Sequence, residues 1–90
     1  MRVVIVFKDY TDYAREVTDW LRDIRMQTGH ELETLDPETK EGESFCRAYD
    51  IVEYPTIIAV TNDGHVQHSW RGTPMPLISE VTYYLIGDRQ

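Results

Sequence analysis

Two uninterrupted apolar runs stand out along the chain, Val3 to Phe7 and Ile57 to Val60. Neither alternates with polar residues, and both are short and rich in β-branched side chains, the pattern of strands covered on both faces. Between them the period changes to that of a helix. Val17, Trp20, Leu21 and Ile24 fall at i, i+3, i+4 and i+7, and Tyr13 and Ala14 extend the stripe backwards. Thr11 is positioned to cap this helix, Asp12 and Glu16 suit the positive end of its dipole, and Gly29 is a natural stop. His30 to Leu35 reads as a weaker strand, with Leu32 and Thr34 on one face and Glu31 and Glu33 on the other, as suits a charged sheet edge. After the polar connection Asp36-Pro37-Glu38, Gly42 to Tyr49 is expected to be a short helix burying Phe45, Ala48 and Tyr49.

Pro55 opens the inner strand at the position where its missing N–H costs least. Asn62, Asp63 and Gly64 turn the chain, after which Val66, His68 and Trp70 alternate with Gln67, Ser69 and Arg71 as in a strand with one covered face. Thr73 and Pro74 then predict a helix start, as cap and first helical residue. Leu77, Ile78, Val81 and Leu85 supply its apolar stripe and Gly87 its end. The succession β-α-β-α-β-β-α predicts an α/β fold built on a four-stranded mixed sheet with helices on both faces. A right-handed crossover followed by a hairpin leaves few topologies. Ninety residues support one domain, residues 1–90, around one core.

Charge and cysteine content narrow the function. A net charge of -7 and a pI near 4.7 argue against nucleic acid and against anionic membrane surfaces as partners. Glu31, Glu33, Asp36, Glu38, Glu41 and Glu43 are offset locally only by Lys40, but they lack EF-hand spacing, so solubility rather than metal binding is the reading. One cysteine makes no internal disulfide, and no Cys/His spacing suggests zinc. Cys46, next to Phe45 in the second predicted helix, is expected to be a structural thiol. His30, His65 and His68 have no cysteine, serine or carboxylate partner at a recognisable spacing. The initial apolar run is too short for a signal peptide, and a soluble cytoplasmic protein is the expectation.

The segment Tyr49 to Thr56, Tyr-x-Ile-x-x-Tyr-Pro-Thr, is followed by an apolar strand, a glycine turn, a second strand and Gly72. This order resembles the C-terminal half of thioredoxin and glutaredoxin domains. The resemblance implies a strand order of 2-1-3-4, with the first and last helices on one face and the short helix on the other. It also implies a cis Tyr54-Pro55 bond facing the redox site. Val3 to Ala14, Val-Val-Ile-Val-Phe-Lys-Asp-Tyr-Thr-Asp-Tyr-Ala, resembles the glutaredoxin opening with Thr11 and Ala14 at the two cysteine positions of Cys-x-x-Cys. Lys8 and Tyr13 match that motif's lysine and tyrosine. A threonine hydroxyl without an adjacent base is not an activated nucleophile, so dithiol exchange is not expected.

Two functions from different classes follow from the resemblance. In the first, a redox-inactive module binds a protein or peptide by strand addition at the backbone before Pro55. Its face comprises Lys8, Tyr10, Thr11, Tyr13, Ala14, Tyr54, Pro55 and Gly72, and it needs no cofactor. The tyrosines there are read either as amphipathic contact surface or as half-buried loop packing. In the second, a glutathione-binding or glutathione-transferase-like enzyme uses a hydroxyl of Tyr10, Thr11 or Tyr13, with Lys8, Tyr54, Pro55 and Gly72 compatible with glutathione. Against it, the glutaredoxin continuation Gly-Gly-x-x-Asp is replaced by Arg71-Gly72-Thr73-Pro74-Met75, which lacks the acidic residue. A purely structural subunit is a third reading.

Overall fold

The computed structural model describes residues 1–86. Its elements run β1 (Arg2–Val6), α1 (Ala14–Thr28), β2 (Glu33–Leu35), α2 (Lys40–Tyr49), β3 (Thr56–Val60), β4 (Val66–Arg71) and α3 (Ile78–Ile86). The strands form one sheet in the order β2-β1-β3-β4, the order that the resemblance implies. β1 pairs parallel with β2 and antiparallel with β3, and β3 pairs antiparallel with β4.

The two apolar runs occupy the two central strands because only there are both faces covered. Successive side chains of a strand point to opposite faces. Val3, Ile5, Ile57 and Ala59 accordingly enter one core with Val17, Trp20 and Ile24 of α1 and Val81 of α3. Val4, Val6, Ile58 and Val60 enter the other, with Phe45 and Cys46 of α2. In place of the one core expected from the chain's length, two thin cores thus sandwich a single sheet, because the central strands are apolar on both faces.

Several local expectations need correction. Thr11 does not cap α1: its hydroxyl donates to the Lys8 carbonyl at 2.7 Å, and Tyr13 occupies the cap position without a side-chain cap bond. The strand expected from His30 is reduced to Glu33–Leu35. Leu32 lies before it against the α1 side, Leu35 faces the α2 side, and Thr34 is exposed at the edge. α2 starts two residues before Gly42, because the Thr39 hydroxyl accepts the Gly42 N–H at 3.0 Å and caps the helix. That phase buries Gly42, Phe45 and Cys46 and leaves Ala48 exposed. β4 is less covered than its alternation suggests, with Val66 and His68 exposed and Trp70 half-buried.

The last helix begins at Ile78 rather than Pro74. Residues 73–77 instead cross α1 as a strap, fixed by the Trp20 indole N–H donating to the Pro76 carbonyl at 2.9 Å. Glu16 also accepts the Met75 N–H at 3.3 Å. The helix end expected at Gly87 lies outside the described residues. Gly29 ends α1 with φ of 79°, its N–H bonded to the Arg25 carbonyl.

Candidate functional site

The candidate residues meet at one end of the sheet, where β1 leads into α1 and the loop before β3 approaches. Between Lys8 and Ala14 the chain makes a compact turn held by its own polar groups. The Lys8 N–H donates to the Tyr13 hydroxyl oxygen at 3.2 Å, Thr11 donates to the Lys8 carbonyl, and the Ala14 N–H donates to the Thr11 carbonyl at 3.1 Å. Ala14, expected at the second cysteine position, is buried where α1 begins.

Across from this turn, the Tyr54-Pro55 peptide bond is cis, as is Thr73-Pro74. The Thr56 hydroxyl donates to the Glu53 carbonyl at 2.6 Å and the Gly72 N–H donates to the Pro55 carbonyl at 2.7 Å, which ties the loop to the end of β4. Gly72 has φ of 73°, a left-handed conformation that favours glycine, and an added Cβ would lie 3.3 Å from the Glu53 carboxylate. The Lys8 ammonium bridges the two sides, 5.3 Å from the centroid of the Tyr54 ring.

The three tyrosines do not form one continuous patch. Tyr13 packs against the α1-side core and Tyr54 against the α2-side core, each half-buried. Tyr10 is 66% exposed, and its hydroxyl donates to Glu38 at 2.7 Å. Glu38 also lies 3.8 Å from the Lys8 ammonium. Its bond with Tyr10 is the main cause that raises the Tyr10 phenol above its ordinary pKa.

Glu38 and Cys46 are the neighbours that sequence reasoning did not place here. Glu38 sits in the connection before α2, and no periodicity ties it to Lys8. Cys46 is a buried thiol against Tyr54. Burial pushes its pKa up, and a hydrogen bond with the Tyr54 side chain pulls partly the other way. The Tyr54 phenol is also raised, first by burial and then by the neighbouring Cys46. The thiol is therefore far from the conditions that make a reactive thiolate. A small cleft of about 110 Å³, lined by Phe7, Asp9, Thr34, Leu35 and Asp36, adjoins the turn. Among the described residues, no group of three or more His, Cys, Asp or Glu side chains is arranged to hold a metal ion. No helix of the described residues is long and apolar enough to cross a membrane.

No protein-family model and no curated protein matches the sequence. Solved structures do match the fold. Thioredoxin 1 of Thermosipho africanus aligns with a TM-score of 0.63 at 16% identity, over 94% of this chain and 90% of its own. A malarial protein aligns with a TM-score of 0.64 at 14% identity, over 94% of this chain and 92% of its own. A disulphide-isomerase candidate from Bacteroides thetaiotaomicron aligns with a TM-score of 0.63 at 18% identity, over 92% of this chain and 74% of its own. At such identities the likeness speaks to architecture alone. Strand order, helix placement and these alignments agree: the chain has the thioredoxin-like fold and, with Cys46 as its one cysteine, no Cys-x-x-Cys motif.

Proposed function

We propose that this protein is a redox-inactive thioredoxin-like module that binds an extended protein or peptide segment along the Pro55 loop and the start of α1. The observation that carries this reading is the backbone of Tyr54. Neither its N–H nor its C=O takes part in a hydrogen bond among the described residues, although Tyr54 lies two residues before the β3 ladder begins. Backbone groups left in this state are suited to pairing with an incoming strand. Lys8, over the Tyr54 ring, flanks it with a cation, and the exposed ring of Tyr10, joined to Lys8 through Glu38, adds aromatic surface further out.

The glutathione reading is less well supported. Tyr10 and Thr11 already spend their hydroxyl protons on Glu38 and the Lys8 carbonyl. That leaves the Tyr13 hydroxyl, half-buried and already accepting the Lys8 N–H, as the remaining donor.

Peptides selected by display against the protein, mapped by amide NMR, test the proposal. Binding is expected to shift Lys8, Tyr54 and Gly72 and to slow hydrogen exchange at the Tyr54 amide. An epitope elsewhere on the surface would refute it. Shifts at Lys8, Tyr54 and Gly72 on titration with glutathione alone would favour the enzyme reading instead.

A further inference from the structure

The second exposed feature of the fold is the free edge of β4, and the geometry points to a second copy of this chain as its occupant, paired antiparallel across a two-fold axis at Trp70. In an antiparallel ladder each residue turns both its N–H and its C=O to the same neighbour, and successive residues alternate. Gly72 donates to the Pro55 carbonyl, so Gly72 and, by alternation, Trp70 turn their backbones towards β3. Ser69 and Arg71 therefore turn theirs outward, where β4 has no neighbouring strand among the described residues. The irregularity between Ala59 and Val60 lies beyond this stretch and does not disturb it.

A two-fold at Trp70 sets Ser69 against Arg71 of the second copy, twice, in hydrogen-bonded pairs. It brings the two Trp70 side chains together in the closer, non-hydrogen-bonded position between them. No like charges face each other in this register. Beside it, on the α3 side, His68, Trp70, Glu80, Tyr83 and Tyr84 line an open groove of about 240 Å³, with the Trp70 and Tyr84 rings 5.5 Å apart and edge-on. Tyr83 is 68% exposed.

Charge selects a copy rather than another partner. The whole chain carries -7, yet residues 64–86 contain one basic residue, Arg71, and one acidic residue, Glu80. Two such molecules repel over most of their surfaces, and contact through this charge-poor, aromatic face keeps their acidic regions apart. Charge depletion with aromatic enrichment is the signature of an interface centre, and an isologous contact uses the same patch twice.

Sedimentation equilibrium of the 90-residue chain should give a mass that rises with concentration from 10.6 kDa towards twice that value. Hydrogen exchange at the Ser69 and Arg71 amides should slow over the same range. Two charge variants separate this register from general electrostatics. Ser69→Lys faces Arg71 of the second copy and should weaken the dimer about fivefold, whereas Ser69→Glu should strengthen it by a similar factor. Net charge alone gives the reverse order, because added lysine reduces the repulsion between acidic molecules. Ser69→Pro, which removes an outward N–H and leaves the β3 ladder intact, should yield a folded monomer. A mass constant at 10.6 kDa up to the solubility limit, or the reverse order of the charge variants, would overturn the proposal.

Discussion

Gly42 has the least room for a side chain of the described glycines. A Cβ added there would lie 1.8 Å from the Asp36 carbonyl oxygen and 2.6 Å from its carbon, both backbone atoms that cannot swing aside. Gly42→Ala should therefore destabilise the protein by about 3 kcal/mol, as overpacking does where neighbours cannot yield. Gly29 differs, because an added Cβ there meets nothing within 4 Å and only its φ of 79° opposes a side chain. Gly29→Ala should cost about 1 kcal/mol. Urea unfolding of the two variants checks the ranking, and equal losses would mean that α2 can move away from Asp36. Gly29 was legible in the sequence, since it follows the last apolar position of a periodic run. Gly42 was not, because the atom that forbids its side chain belongs to the preceding loop.

Among elements, the start of α1 is the most informative to perturb. Thr11 closes the turn before the helix and Ala14 opens it, joined by a 3.1 Å backbone bond. Thr11→Cys with Ala14→Cys should create a dithiol able to close, with the first thiolate favoured by the helix N-terminus. Asp12→Cys with Arg15→Cys uses two exposed positions and should reduce protein disulfides more slowly. Thiol titration and a disulfide-reduction assay on both pairs decide between them. If the shifted pair matched the first, Thr11 and Ala14 would not be the cysteine-equivalent positions. β1, α1 and β3 were legible because each buries enough residues in one regular period to announce itself. The start of α3 was not. Thr73 and Pro74 carry the local signals of a helix start, but Trp20 and Glu16, more than fifty residues earlier in the chain, claim the backbone of Pro76 and Met75. The contacts of Tyr54 with Cys46 and of Tyr10 with Glu38 escaped for the same reason: each joins separate elements.

For the whole molecule, ionisation sets how stability changes with pH. Cys46 and Tyr54 titrate above their ordinary values of 9.0 and 10.0 in the folded protein, both chiefly through burial. The unfolded chain gives up these protons first. Their contribution is thus intact below pH 9.0 and is lost as pH climbs from there towards the folded values. Glu33 acts in the opposite direction: the Arg2 guanidinium, bound to both carboxylate oxygens, holds its pKa below 4.5. Its contribution is present above that value and fades as pH falls, and it is small because both side chains are well exposed. Urea midpoints across the alkaline range should decline less steeply for Cys46→Ser than for the parent chain. Parallel curves would mean that Cys46 ionises equally readily in the folded and unfolded states.

The strap over α1 also has an optical consequence. Trp20 is 8% exposed with its indole N–H held by the Pro76 carbonyl, whereas Trp70 is half-buried at the free edge of the sheet. The chain's two indoles therefore emit from different surroundings, one dry and fixed, the other open to solvent on one side. Replacing Trp70 with Phe leaves a single indole whose emission colour follows the seating of residues 73–77 on α1. Replacing Trp20 leaves one that senses whatever approaches β4, so the protein carries separate built-in reporters for folding and for association.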